Sequence, residues 1–163
     1  MIRAEAEADL DRIDAVTRAA FASYPGAGEP EVALVHALRR AGALAFSLVA
    51  TEGSDVVGHA AFSPVNIAGV THWFGLGPVS VLPARQGRGH GATLIVAGLR
   101  QLRHRGACGC VVLGDPAYYG RFGFTFGPGL TYGDAAPEHL GALRIAGSAP
   151  SGEVSYHPAF SGV

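Results

Sequence analysis

The chain has 163 residues, of which 48% are hydrophobic and 15% are charged, a composition typical of a globular protein with a proper core. The formal net charge of −1 gives no electrostatic reason to expect nucleic acid or an anionic membrane as a partner. All 12 basic residues are arginine, which excludes a lysine Schiff base and the lysine of a P-loop. We expect one domain over residues 1–163.

Targeting and metal signals are weak. The segment 1–10 has no apolar core, and the longest apolar stretch, residues 41–50, is shorter than a membrane span. We therefore expect a cytoplasmic protein with no membrane partner. Cys108 and Cys110 lie in an apolar run without further ligands at metal-binding spacing, so we interpret them as buried thiols and expect no metal.

The first half of the chain predicts a strand, two helices and a hairpin. A short strand near Ile2 precedes a helix over residues 9–21, whose apolar side chains share one face. A second helix is predicted from Glu31 to Gly42, after a segment rich in glycine and proline. Residues 43–52 and 55–65 then read as two strands of an antiparallel hairpin.

The second half contains a parallel unit. A long strand over residues 72–82 is interrupted by Gly77 and Pro78, which indicates a bulge or a separation of neighbouring strands. The apolar period becomes helical from Gly89 to Arg105, and residues 108–114 form a wholly apolar strand. Strand, helix and strand make a βαβ unit with parallel strands.

The remaining elements are shorter. Residues 116–124 predict a short helix that runs into another strand, and turn residues dominate residues 127–152. An edge strand is predicted over residues 153–160.

Three glycines, Gly87, Gly89 and Gly91, lie where the long strand passes into the helix. One glycine would suffice for a tight turn. A helix amino terminus offers unpaired amides and partial positive charge, and the absence of side chains lets a bulky anion approach them. Arg85 and Arg88 stand beside this segment and could reach further oxygens. The pattern predicts a pyrophosphate site.

Three ligand classes would use such a site. A nucleoside triphosphate is disfavoured because the Gly-Lys-Ser/Thr ending of a P-loop is absent. A dinucleotide fits less well: Gly87, Gly89 and Ala92 satisfy G-x-G-x-x-A, but residues 83–86 separate them from the strand and the next acid is Asp115. The third class is coenzyme A.

Two motifs resemble those of the GNAT superfamily of N-acetyltransferases. Gln86, Gly89 and Gly91 match its acyl-CoA motif Gln/Arg-x-x-Gly-x-Gly/Ala, and Tyr119 begins a match to Tyr-x-x-x-Gly-Phe that ends at Phe124. Within the superfamily, residues 111–124 and 153–160 are most similar to a bacterial group of the YhbS type. The resemblance covers nearly the whole chain.

This resemblance implies an α+β fold: a mixed, mostly antiparallel sheet flanked by helices, with the parallel βαβ unit at a splayed acyl-CoA site. Pantetheine would enter between the strand ending at Leu82 and the one at Val111, and an amide near Val79 would polarise the thioester carbonyl. The residues expected to bind acetyl-CoA or coenzyme A are Val79, Ser80, Val81, Gln86, Gly87, Arg88, Gly89, His90, Gly91, Ala92 and Thr93.

The resemblance also implies direct transfer of an acetyl group to an amine, with Tyr119 as the acid that protonates the departing thiolate. Tyr118 would pack or line the substrate side, and Asp115 would cap the short helix or touch the ligand, with capping preferred. The base stays open between Glu29, Glu31, His72 and a water chain.

The acceptor is equally open. A small molecule or a peptide amine fits, and a homodimer is compatible with the sequence. A non-catalytic acyl-CoA sensor would keep residues 86–91 but would not need Tyr119, so the presence of both motifs favours an enzyme. A dinucleotide-dependent oxidoreductase is the more distant alternative.

Overall fold

The computed structural model describes residues 1–162. Four α-helices lie within these residues: α1 (Leu10–Phe21), α2 (Glu29–Arg40), α3 (His90–His104) and α4 (Pro116–Tyr119). The strands of the same residues are β1 (Ile2–Ala4), β2 (Phe46–Glu52), β3 (Asp55–Ile67), β4 (Val70–Val81), β5 (Gly109–Leu113), β6 (Thr125–Phe126), β7 (Leu130–Thr131), β8 (Leu140–Arg144) and β9 (Gly152–Ser155). No helix among residues 1–162 is both long and apolar enough to cross a membrane.

The sheet confirms the predicted fold class. Its strands run in the order β1-β2-β3-β4-β5-β8-β6, while β9 pairs with the end of β3 and with β7. Along the main order every neighbouring pair is antiparallel except β4 and β5, which are parallel and joined by α3. This is the expected α+β architecture, a mixed sheet with one parallel βαβ unit.

Alternation along β2 and β3 places helices on both faces of the sheet. Leu48 and Ala50 pack in the cluster that contains α3, whereas Val49 packs with Ile13 and Val16 of α1. On the α3 face, Gly98 lies directly against the ring of Phe62, so even a methyl group there would collide with it. Burial of each large apolar side chain contributes about 1.5–3 kcal/mol, and α1 and α3 are thereby fixed on opposite sides of β4.

Several boundaries differ from the predictions. Helix α2 begins at Glu29 rather than Glu31, because a proline is accommodated in its first turn and the Glu31 carboxylate accepts a hydrogen bond from the Gly28 amide at 3.2 Å. Strand β4 begins at Val70, since residues 68 and 69 take positive φ and close a tight hairpin.

Two elements in the last third were predicted wrongly. Strand β8 lies in a stretch described only as rich in turn residues, where no strand was predicted, and it pairs with β5 along all five residues from Gly109 to Leu113. The predicted edge strand over residues 153–160 ends at Ser155, and Pro158–Gly162 form a 3₁₀ turn. Pro158 has a fixed φ and no amide hydrogen, which suits the start of such a turn better than a strand.

A buried polar cluster lies under α2, on the sheet face that α1 covers. The His59 imidazole is fully buried, and its Nε2 lies 2.6 Å from Ser47 Oγ and 3.8 Å from Glu5 Oε1. Arg39 of α2 donates two hydrogen bonds to the Glu5 carboxylate at 3.0 and 3.1 Å. Burial alone would raise the pKa of Glu5, but the nearby His59, the hydrogen-bonded Arg39 and the nearby Ser47 outweigh it and lower the pKa to about 2.

Glu5 should therefore stabilise the fold in a pH-dependent way. A lowered folded-state pKa means that the contribution is complete above the ordinary value of 4.5 and is lost as the pH falls from there toward about 2. We expect Glu5→Gln to lower the free energy of unfolding at neutral pH and to flatten its decline in that acid range. Denaturant unfolding at a series of pH values measures this. Glu7→Gln, an exposed neighbour, is the control, and an unchanged acid slope in Glu5→Gln would contradict the assignment.

Candidate active site

Strands β4 and β5 separate halfway along β4. They pair from Trp73 with Gly109 to Leu76 with Val112, and the pairing ends there. Gly77 and Pro78 follow, and Pro78 has no amide hydrogen to continue a ladder. Beyond this point β4 stays with β3, through Gly58–Ala60, while β5 stays with β8. A V-shaped opening results, at the place predicted from the glycine and proline.

Only part of the open strand faces this opening. The Leu82 amide donates to the Val57 carbonyl at 2.9 Å, and hydrogen-bonded pairs alternate along an antiparallel ladder. The backbone groups of Ser80 therefore point toward His59 of β3, and those of Val79 and Val81 point into the opening. The expectation that all three residues present unpaired groups is thus wrong for Ser80, because the ladder occupies its backbone. It is also wrong for the Val81 carbonyl, which accepts a hydrogen bond from Gln86 Nε2 at 3.1 Å.

The segment between β4 and α3 presents six successive free amides. In the described chain, residues 1–162, the amides of residues 87–92 donate to no backbone or side-chain acceptor. The Gln86 amide is engaged with the Pro83 carbonyl at 3.3 Å, and the Thr93 amide with the Gly89 carbonyl at 2.9 Å. The expected main-chain cradle of residues 86–92 therefore begins one residue later, because the Gln86 amide closes a turn, and the amide of the expected site residue Thr93 is bonded in the first turn of α3.

The glycines of this segment have distinct roles. Gly87 and Gly89 take φ of +78° and +88°, values that other residues rarely adopt. Gly91 is helical, and a β-carbon there would lie 3.0 Å from the Tyr118 hydroxyl oxygen. Backbone conformation requires the first two glycines, and space in the cleft requires the third.

A carboxylate that the sequence analysis missed organises one side of the cradle. Glu52, at the end of β2, accepts a hydrogen bond from Arg85 at 2.7 Å and lies 2.9 Å from His90 Nε2. These hydrogen bonds, first that from Arg85 and then that from His90, lower the pKa of Glu52. Arg85 is thus paired within the protein, and Arg88, 58% exposed and 4.0 Å from Glu52, is the freer cation.

Two connected clefts meet at the cradle. The first, of about 440 Å³, is lined by residues 85–87 and 89–92 together with Arg121, whose guanidinium lies 4.6 Å from the centre of the Tyr118 ring. The second, of about 390 Å³, extends toward the end of α1. Four residues line both clefts, namely Val81, Gln86, Gly91 and Tyr118. A ligand lying across these residues would run from the free amides into the V-shaped opening.

Two tyrosines of α4 face the second cleft. Tyr118 and Tyr119 line it together, with ring centroids 5.0 Å apart and the rings perpendicular. Burial, and then the neighbouring Tyr118 and Cys110, raise the pKa of Tyr119 to about 12. Its hydroxyl therefore keeps its proton at neutral pH and is a hydrogen-bond donor.

The three candidate bases lie elsewhere. Glu29 is bonded to Arg18 and its side chain is 73% exposed. Glu31 is buried and caps α2, and His72 lies in a groove near Tyr156. None of them lines either cleft. Asp115 accepts a hydrogen bond from the Ala117 amide at 2.9 Å, which confirms the preferred capping role.

Residues 1–162 contain no group of three or more histidine, cysteine or acidic side chains that could hold a metal ion. Cys110 is fully buried, which raises the pKa of its thiol, and the interpretation of this residue as a core thiol is confirmed.

A splayed parallel pair beside free amides at a helix start defines the class of acyl-CoA-dependent N-acetyltransferases that the motifs already resembled. The sequence profile described as Acetyltransferase (GNAT) family matches residues 13–124. The chain belongs to the GNAT family of acetyltransferases.

Several relatives cover most of the chain. The chain is 41% identical over 126 residues to the uncharacterized N-acetyltransferase YhbS of Escherichia coli strain K12. The aligned segment covers 76% of this chain and 72% of the relative. A crystal structure of a GNAT family acetyltransferase from Brucella melitensis in complex with acetyl-CoA superposes with a TM-score of 0.86, at 49% identity and 98% and 97% coverage of the two chains. Escherichia coli YhbS in complex with CoA gives a TM-score of 0.91, at 35% identity and 99% and 91% coverage.

Substitution of Gly91 tests the cradle more cleanly than substitution of Gly89, where positive φ would add backbone strain. Gly91→Val should place methyl groups against the Tyr118 hydroxyl and raise the dissociation constant for CoA by at least roughly ten-fold, about 1.4 kcal/mol. Titration calorimetry measures this. Val96→Ala, on the exposed side of the same helix, should bind CoA normally, and unchanged affinity in a folded Gly91→Val protein would refute the cradle.

Proposed function

We propose that the protein is an N-acetyltransferase that transfers an acetyl group from acetyl-CoA to an amine by direct attack within a ternary complex. The continuous cleft from the free amides of residues 87–92 to Tyr119 supports this most strongly. The two similar structures described with acetyl-CoA and with CoA support the choice of co-substrate.

In this proposal the amides of residues 87–92 and the Arg88 guanidinium hold the pyrophosphate. Pantetheine amides bond to the backbone groups of Val79 and to the Val81 amide, in the manner of an added strand, while the Val81 carbonyl stays bonded to the Gln86 side chain. Glu52 keeps Arg85 and His90 beside the cradle. Donation of a hydrogen bond from the Val79 amide to the thioester carbonyl would stabilise the oxyanion as it forms.

The chemistry begins with a neutral amine. Its nitrogen forms a bond to the carbonyl carbon, and the tetrahedral intermediate then breaks the carbon–sulfur bond, leaving an amide and the CoA thiolate. A tyrosine with a pKa of about 12 is a weak net proton donor to a thiolate whose own pKa is several units lower. We therefore propose that Tyr119 passes its proton to sulfur while taking one from the amine nitrogen, and so stays neutral.

No carboxylate base is needed in this scheme. An acceptor ammonium loses its first proton to water, and the aromatic lining favours the neutral form that remains.

The cytoplasmic location, the single domain over residues 1–163 and a homodimer stay predictions.

Ligand-dependent stabilisation separates the enzyme from its alternatives. Acetyl-CoA and CoA at a hundred times their dissociation constants should each stabilise the fold by about 2.7 kcal/mol, and NAD should not. EDTA should change neither this stabilisation nor turnover, because amide dipoles and arginine replace a metal ion at the pyrophosphate. Thermal unfolding measures each arm. Stabilisation by NAD alone would favour the oxidoreductase, and loss of binding on chelation would show that a metal takes part.

Tyr119→Phe tests the catalytic role. The variant keeps the ring that packs at 6.1 Å from Phe124, but loses the hydroxyl that shuttles the proton. We expect kcat to fall by roughly 10²-fold, at the lower end of general acid–base contributions because thiolate is a good leaving group, with little change in acetyl-CoA affinity.

Steady-state kinetics of both proteins with the same amine measure this change. Wild-type turnover in Tyr119→Phe would reduce Tyr119 to a packing residue. A protein that binds acetyl-CoA but acetylates no amine would instead favour the sensor.

A further inference from the structure

The acceptor side of the second cleft has an unusual lining. It is formed by the end of α1 and the turn after it, by β4 and by α4, and contains Ala20, Phe21, Tyr24, Val79, Tyr118 and Tyr119. Gln86 and Gly91 also line this cleft, and the Gln86 side-chain amide is bonded to the Val81 carbonyl. The other side chains are apolar or aromatic, so the tyrosine hydroxyls are the remaining polar side-chain groups. We infer that the acceptor is a primary amine with a single positive charge and an apolar, aromatic body. This inference rests on the proposed acetyltransferase function.

Charge is the first reason. No aspartate or glutamate of residues 1–162 lines the second cleft. The acids nearest in sequence to its lining are already engaged: Asp115 accepts from the Ala117 amide, Asp14 pairs with His36, and Glu29 pairs with Arg18. A polyamine or a basic peptide would bring several ammonium groups to a surface without carboxylates, and each would lose hydration without gaining a partner. A monoamine avoids this cost, because it carries one charge and loses it before attack.

Aromatic side chains are the second reason. Phe21 and Tyr24 form a pair on the α1 side of the cleft, with ring centroids 6.5 Å apart. Tyr118 and Tyr119 form another on the α4 side. An aromatic ring bound here buries apolar area and makes offset or edge-to-face contacts.

Exposure of Tyr24 also points to a ligand. Tyr24 is 63% exposed and is one of the few large hydrophobic residues of the described chain that are exposed to solvent. It lies in the turn between α1 and α2, where little tertiary packing holds it. A bound aromatic acceptor would cover it, and a substitution there should leave the fold intact.

The test compares three amines of similar size with the full-length protein and acetyl-CoA: 2-phenylethylamine, 1,4-diaminobutane and the amino terminus of triglycine. We expect kcat/KM for 2-phenylethylamine to exceed that of the other two at least ten-fold. Release of CoA thiol gives the rate, and mass spectrometry confirms the N-acetyl product. Tyr24→Ala and Phe21→Ala should each raise KM for 2-phenylethylamine by several-fold, with kcat and the acetyl-CoA dissociation constant little changed.

The control variant is Val96→Ala. Val96 is an exposed apolar residue of α3 that lines neither cleft, so the variant should keep the wild-type KM for 2-phenylethylamine. Preference for 1,4-diaminobutane or triglycine would overturn the inference and leave the proposed function standing. An unchanged KM in both aromatic variants would also overturn it. Acetylation of none of the three amines, by a protein that binds acetyl-CoA, would contradict the proposed function and the inference with it.

Discussion

The architecture depends on one constraint: strands β4 and β5 do not pair beyond Leu76 and Val112. Pro78 cannot donate a ladder hydrogen bond, and each strand then follows a different neighbour, β3 for one and β8 for the other. Unpaired backbone groups inside a protein are costly unless something bonds to them. We therefore propose the opening as a site for a ligand with its own amides. The cradle at the start of α3 lies beside the end of β4 that borders this opening.

The cradle has little net side-chain charge. Its positive potential comes mainly from the amide dipoles of residues 87–92, while Glu52 neutralises Arg85 and bonds to His90. This arrangement fixes side chains around the proposed anion site without a large local excess of positive charge. It also explains how a chain with a net charge of −1 can present an anion site.

Sequence alone was sufficient where the chemistry is local. The run of glycines from Gly87 to Gly91 predicts a helix amino terminus free of side chains, and Gly77 with Pro78 predicts the strand separation, because each effect arises at the residues themselves. The contribution of Glu52 could not be predicted, since it reaches Arg85 and His90 only through the pairing of β2 with β3. The strand β8 was missed because Gly141 and the turn residues around it mask an alternating pattern whose partner, β5, is distant in sequence.

The register of β3 with β4 and the short length of α4 account for the remaining differences between the predicted and the observed site. Ser80 and Thr93 belong to the predicted site by motif, but the ladder with His59 and the first turn of α3 occupy their backbone groups. Tyr118 and Tyr119 are adjacent in sequence and would be expected to diverge on a helix, yet α4 is only one turn long and both rings line the same cleft.

We propose that the main-chain amides of residues 87–92, assisted by the Arg88 guanidinium, bind the CoA pyrophosphate. Amide nitrogen–proton correlation spectra recorded during a titration with CoA test it most directly. Saturable shifts of residues 87–92, together with Val79 and Val81, are the predicted result, with the Gln86 and Thr93 amides changing less because they are already bonded. Saturable binding that leaves the amides of residues 87–92 unmoved would contradict the account.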